Sequence, residues 1–251
     1  MPTSLPHVVS RSPTPELPLK TRITLPGAPT WEVPRAVDII HHFSQKEHNI
    51  GNPSFPDTHV WVPGDVNRLI STSSPRPEDE YDVDNVDHFT IVGRVRPYDL
   101  YLQPLGTYAD LDYFEEDYTH ASYRVTIGAH DGEAYDGYFA RVMENILKME
   151  NRIKKPTTLE ANTRRFTSAD ANDQTVKLSA RVFCSESNPR QSTDLPITYP
   201  DGSRVPTHAI PFVLPSALVE GRFVFVHAAR VDRSETFKAH LKGVRILALY
   251  V

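Results

Sequence analysis

A single cysteine in 251 residues, Cys184, leaves no partner for an intramolecular disulfide and nothing from which to build a thiolate metal site. Glycine is scarce too. Its 11 positions match neither Gly-x-Gly-x-x-Gly nor Gly-x-x-x-x-Gly-Lys, which removes the commonest phosphate-cradling loops. Gly-x-Ser-x-Gly and His-Glu-x-x-His are also absent, excluding the nucleophile elbow and the zinc-protease helix. No apolar run approaches the roughly 18 residues of a helical membrane span. The first residues, MPTSLPHVVSRSPTPELP, lack the apolar stretch of a signal peptide, and the one Asn-x-Ser match, Asn52-Pro53-Ser54, carries the excluded proline. These absences predict an intracellular protein of the nucleus or cytoplasm with no membrane partner.

Proline, by contrast, is abundant: 22 of 251 residues, against a usual share of about 5%. Eight fall within the first 34 residues, so residues 1–34 are expected to form an extended arm, since polyproline-like backbone makes no internal hydrogen bonds. Charge is divided along the chain. Residues 1–137 hold 10 basic and 21 acidic side chains, a net of −11, whereas 138–251 hold 17 and 11, a net of +6. Such polarity points to an anionic partner for the basic half, or to one half shielding the other. Three parts follow: the arm 1–34, a small helix and loop region with an acidic linker at 35–87, and a β domain at 88–251.

After Pro34, AVDIIHHFSQKE reads as a short helix with Val37, Ile40 and Phe43 at helical spacing. Pro63-Gly64 separates a short strand from one helical turn, and 73–87 is an acidic run. From His88 the period becomes two. Ile91, Gly93 and Val95 alternate with Val92, Arg94 and Arg96, and Pro97 is expected at an edge, bulge or bend. Tyr123, Val125 and Ile127 alternate with Arg124 and Thr126, and EAYDG is expected to finish a hairpin. GYFARVMENILKMENRIKK (137–155) carries Phe139, Val142, Met143, Ile146, Met149 and Ile153 on one helical face, with Asp136 as cap. Val176, Leu178, Ala180 and Val182 then alternate with Lys177, Ser179, Arg181 and Phe183. A long loop at 185–210 precedes two final strands.

A small antiparallel barrel with one helix between its third and fourth strands is the arrangement of the OB-fold, and 88–251 resembles it in element order. The expected fold is therefore mainly β, an OB-like β-barrel with one amphipathic helix and the proline-rich arm. The resemblance implies a single-stranded nucleic-acid-binding protein. A β-sandwich or jelly roll of a coat-like protein is the competing architecture.

Of the chemistry-bearing residues, His41, His42, His48 and His59 do not make a metal site, because adjacent histidines on a helix point about 100° apart. Cys184 reads as a small buried hydrophobe, and the carboxylates Asp110, Asp112, Glu115, Glu116 and Asp117 as a solvated loop or a pseudo-substrate flap. No catalytic residue, metal or cofactor is expected. What remains is a basic and aromatic set: Arg94, Arg96, Arg124, Lys177, Arg181 and Phe183 on solvent-facing strand positions, with Tyr98 and Tyr101 at strand ends. Guanidinium and ammonium groups suit phosphates, and flat side chains suit unstacked bases. The expected function is non-catalytic binding of single-stranded nucleic acid, with a homo-oligomer formed through the arm. The alternative is a structural or assembly β protein without nucleic-acid chemistry.

Overall fold

Alternating apolar and polar residues over 89–95, 122–128, 173–181, 218–229 and 235–248 build the strands that organise the molecule. The computed structural model describes residues 36–64, 66–73, 87–98, 100–102, 122–129, 133–153, 163–170, 173–181, 184–185, 188–192, 195–229 and 235–249. Its helices are α1 (Ala36–Ser44), α2 (Phe55–Thr58), α3 (Glu133–Ile153) and α4 (Ile210–Val213). The first strands are β1 (His59–Val62), β2 (Asn67–Ser71), β3 (Phe89–Val95), β4 (Ser122–Gly128), β5 (Thr163–Arg164) and β6 (Thr167–Asp170). They are followed by β7 (Asp173–Arg181), β8 (Cys184–Ser185), β9 (Asn188–Ser192), β10 (Ile197–Thr198), β11 (Leu218–Ala229) and β12 (Glu235–Ala248). No described helix is long and apolar enough to cross a membrane. The arm 1–34 and the two acidic segments, 74–86 and 103–121, lie outside the described residues.

Five strands pair in a cycle: β3, β4, β7, β12, β11 and back to β3. The third and fifth of these in sequence order, β7 and β12, meet in parallel, and the first and fourth, β3 and β11, meet antiparallel. This is an OB-like order. β2 pairs with β11 at Val226 and His227, just past the stretch that β3 occupies, which brings β1 and β2 into the main sheet. β10 runs parallel to β12 at Val244 and Arg245.

The inner face is aromatic. Phe89, Phe223, Phe225 and Phe237 are fully buried, each contributing about 1.5–3 kcal/mol. Trp61 stands edge-on to Phe225 and donates its indole N–H to the Met149 carbonyl near the end of α3. Gly221 makes room at the centre: a Cβ there would sit 2.5 Å from Leu178 Cδ1 and 2.8 Å from Ile127 Cδ1. From α3, Phe139, Val142, Ile146 and Met149 are buried as the period predicts, and Met143 and Ile153 are half-buried.

The expected barrel needs correction, because the ring is partial. The β11–β12, β3–β11 and β4–β7 joins are long, but β3–β4 and β7–β12 each hold only two residue pairs. At the first weak join, the Val92 N–H donates to the Tyr138 hydroxyl of α3 instead of to a neighbouring strand, and that hydroxyl donates to Asn49 Oδ1. At the second, β5 occupies the edge of β12 and β6 the edge of β7, while Phe166 between them reaches in against Phe225. Wedges at both joins keep the strands apart.

Other expectations shift locally. EAYDG opens α3 instead of finishing a hairpin, so the helix sits between the second and third ring strands; Glu133 and Ala134 favour helix enough to carry Gly137 within it. The turn at Pro63-Gly64 leads to strand β2, because Asn67–Ser71 find partners on both β1 and β11. In α1 the buried stripe is Ile39, Ile40 and Phe43, with Val37 exposed. The stretch 185–210 is broken up by β9, β10 and a 3₁₀ turn at Thr207–Ala209.

Candidate nucleic-acid interface

Residues directly opposite each other on paired strands share a face, so the registers decide which predicted side chains meet. Arg94 of β3 lies opposite Gly128 of β4. Along β4 and β7, Arg124 lies opposite Ser179, Thr126 opposite Lys177, and Ser122 opposite Arg181. Alternation puts Tyr123, Val125, Ile127, Val176 and Leu178 inside. Arg94, Arg124 and Lys177 therefore project from one outer face, along which Arg181 holds a register position. Arg96, two residues beyond Arg94, joins them: its backbone N–H donates to the Thr126 carbonyl, and its guanidinium lies over Gly128, where any side chain would collide with it. Arg124 Nε donates to Ser122 Oγ at 3.0 Å, which orients that guanidinium along the strand.

Pro97 supplies the expected bend, after which the chain pairs again with the edge of β4. Tyr101 and Arg124 exchange two backbone hydrogen bonds of 2.9 Å, so the tyrosine stands opposite the arginine on the outer face. Tyr98, in the bend itself, is exposed. The side chain of Arg181 and the whole of Phe183 lie outside the described residues, as does the Cys184 side chain.

One register runs unbroken across the sheet as Tyr101, Arg124, Ser179, His240 and Val224. At strand spacings of about 4.8 Å this row spans roughly 19 Å. Lys238 lies opposite Val226, which in turn lies opposite Arg68 of β2. Lys238 and His240, alternating with buried Phe237, Ala239 and Leu241, extend the face onto β12, and the half-buried Lys242 follows at a bulge where Phe223 pairs with Leu241 and Arg222 with Gly243. The sequence reading omitted these three. Their signal was present as a lysine, a histidine and a lysine at every second position of FKAHLK. Val224 and Val226 form a small apolar pair on the same side, apart from the main core.

His48 and His59 approach each other, with ring centroids 6.0 Å apart, on a different part of the molecule. His59 Nδ1–H donates to the Phe55 carbonyl, and burial holds its imidazole below the usual pKa. Among the described residues no group of three or more His, Cys, Asp or Glu is placed to hold a metal ion.

No protein-family model matches the chain, and no curated protein matches it. Among solved structures, the chain is similar to a single-stranded DNA-binding protein encoded by bacteriophage T7, with 16% identity and a TM-score of 0.44 over 66% of this chain and 88% of that one. It is also similar to a single-stranded DNA-binding protein from bacteriophage Enc34. The C-terminally truncated form gives 11% identity and a TM-score of 0.43, and the complex with single-stranded DNA gives 13% and 0.42, each covering 78% of this chain and 98% of that one. The likeness is one of fold.

Proposed function

We propose that the outer face of β4, β7 and β12 binds single-stranded nucleic acid without catalysing a reaction on it. The observation that carries this reading is the register row from Tyr101 through Arg124 and Ser179 to His240, flanked by Lys177 and Lys238. Arg94, Arg96, Arg124, Lys177, Arg181, Lys238 and Lys242 meet phosphates; Tyr101 and Tyr98 supply flat surfaces for bases, each stacked base being worth about 1–3 kcal/mol. Phe183 belongs to the same set by its place in the sequence. A single strand fits better than a duplex because its bases are free to turn toward the protein. The arm 1–34 serves self-association, the acidic segment around 110–117 competes for the basic face, and the protein works inside the cell.

The deciding experiment is retention of a labelled 30-nucleotide strand of DNA or RNA, and of the matching duplex, over a salt series. Single strands are expected to bind more tightly than duplex, with affinity falling steeply as salt rises. Arg124→Ala should flatten the salt slope by about 0.7, the value for one phosphate contact on a single strand. Tyr101→Ala should weaken binding with the slope unchanged. Absence of any retained strand at low salt and high micromolar protein would overturn the reading in favour of an assembly protein. Phe212, 85% exposed on α4, is the feature that favours that second reading, since a large apolar side chain in solvent suits a protein contact.

A further inference from the structure

At one corner of the sheet, where β7 ends and β10 takes its place along β12, the fold encloses a cavity of about 330 Å³. Its walls are the buried Leu102, Tyr123, Ile197, Val205 and Ile210. Its mouth is polar and open, framed by the exposed Arg204, Pro206 and Thr207. We propose that this cavity takes one nucleotide of the bound strand, with the base between the apolar walls and the phosphate on Arg204.

Three observations select that occupant. The first is chemical: an apolar slot with an aromatic wall and a single guanidinium at its rim matches a flat ring joined to one anion. A lipid would need a longer apolar channel. The second is size, since the volume lies at the lower end of the roughly 300–1,000 Å³ of small-ligand sites, which admits one base and not a base pair. The third is position. Leu102 directly follows Tyr101 and Tyr123 directly precedes Arg124, and successive strand residues point to opposite sides. The cavity walls therefore back onto the row that carries Tyr101 and Arg124, with consecutive Cα atoms only about 3.8 Å apart. In this proposal the strand turns past Ser122, the first residue of β4, to pass from that row to the cavity on the other side of the same strands. Thr207 there offers a hydroxyl to the edge of the inserted base, and because polar groups arranged for one base are left unpaired by another, the cavity discriminates among bases.

This inference rests on the strand-binding reading, and the test separates the two. Affinities of 20-nucleotide homopolymers of thymidine, deoxyadenosine and deoxycytidine are measured for the full chain and for Thr207→Trp, which blocks the mouth from an exposed position. Pro206→Trp serves as a second block if the melting temperature shows the first variant to be misfolded. The native chain is expected to rank the homopolymers at least fivefold apart, and the blocked chain to bring them within twofold at an unchanged salt slope. Arg204→Ala should lower the slope by about 0.7. If native and blocked chains bind all three homopolymers alike while Lys177→Ala still weakens binding, the cavity proposal falls and the strand reading stands. If the native chain binds no homopolymer, both fall.

Discussion

Two flanks of the same partial ring meet their surroundings differently. On the outer side of β3, β11 and β12, Val92 and Glu220 are buried, and Arg245, paired with Glu220 in register, holds its guanidinium 6.0 Å from the Phe43 ring of α1. On the outer side of β4, β7 and β12, Arg124, Lys177 and Ser179 remain half-buried and His240 and Lys238 exposed. Both flanks hang on the same strand β12. Packing accounts for the residues of the first flank, because covering a sheet face requires apolar or paired groups. It does not account for the second, whose cations gather on a face that needs only to be polar. The contrast separates residues that packing explains from residues that it does not.

Breaking the covered flank should have the largest effect. Phe43→Ala removes the buried ring by which α1 is held, and is expected to cost about 3–5 kcal/mol in urea unfolding, with little change in the salt slope of strand binding. Tyr138→Phe should follow at about 1–3 kcal/mol, since the Val92 N–H loses its buried acceptor. Burial pushes the Tyr138 hydroxyl up to about 12, whereas a tyrosine in the unfolded chain titrates near 10. Alkali therefore favours the unfolded chain: the contribution is intact below pH 10 and lost between pH 10 and 12. Unfolding curves across that interval should fall less steeply for the Phe variant than for the native protein.

On the cationic flank the expectation reverses. Lys238→Ala and Lys242→Ala together should leave stability within about 0.5 kcal/mol per site yet flatten the salt slope of strand binding by about 1.4, two phosphate contacts at 0.7 each. A loss of several kcal/mol in stability with an unaltered slope would mean that these lysines pack and do not bind. The smallest effect is expected at Phe212, whose exposure on α4 leaves little to lose: Phe212→Ser should keep the unfolding free energy within about 0.5 kcal/mol. Its oligomeric state by light scattering then tells whether that side chain joins copies of the protein.

Much of the face was legible because a strand's period of two depends only on neighbours in sequence. Lys177 and Arg124 could be assigned outward from Val176, Leu178, Val125 and Ile127 alone. That they become diagonal neighbours, Lys177 opposite Thr126 and Arg124 opposite Ser179, is a register, decided by how β4 and β7 slide into pairing. The Tyr101–Arg124 exchange was out of reach for a related reason: it requires the chain to leave β4 at Pro97 and return, and a bend of that kind carries no periodic signal. Closure of the ring was the hardest feature to read. The hydroxyl of Tyr138, 46 residues from Val92 in the middle of β3, and a phenylalanine between two short strands, decide it through tertiary contacts that hydropathy does not encode. The offset of the α1 stripe from Val37 to Ile39 has the same origin, since helical spacing alone permits either face.

The two short joins of the ring also set how the protein breathes. Twelve register pairs bind β11 to β12, against two between β7 and β12 and two between β3 and β4. Local opening begins where the fewest hydrogen bonds and contacts must be given up. Amide protons on the β11–β12 hairpin should thus exchange with deuterated solvent last, at the rate of global unfolding, while those of Ser179 and Arg96, the latter bonded to the Thr126 carbonyl, exchange through partial openings. The row from Arg124 to His240 crosses one of these seams, so a strand lying over it fastens β7 to β12 as a suture does. Saturation with a 30-nucleotide strand should slow exchange at that seam more than anywhere else in the sheet.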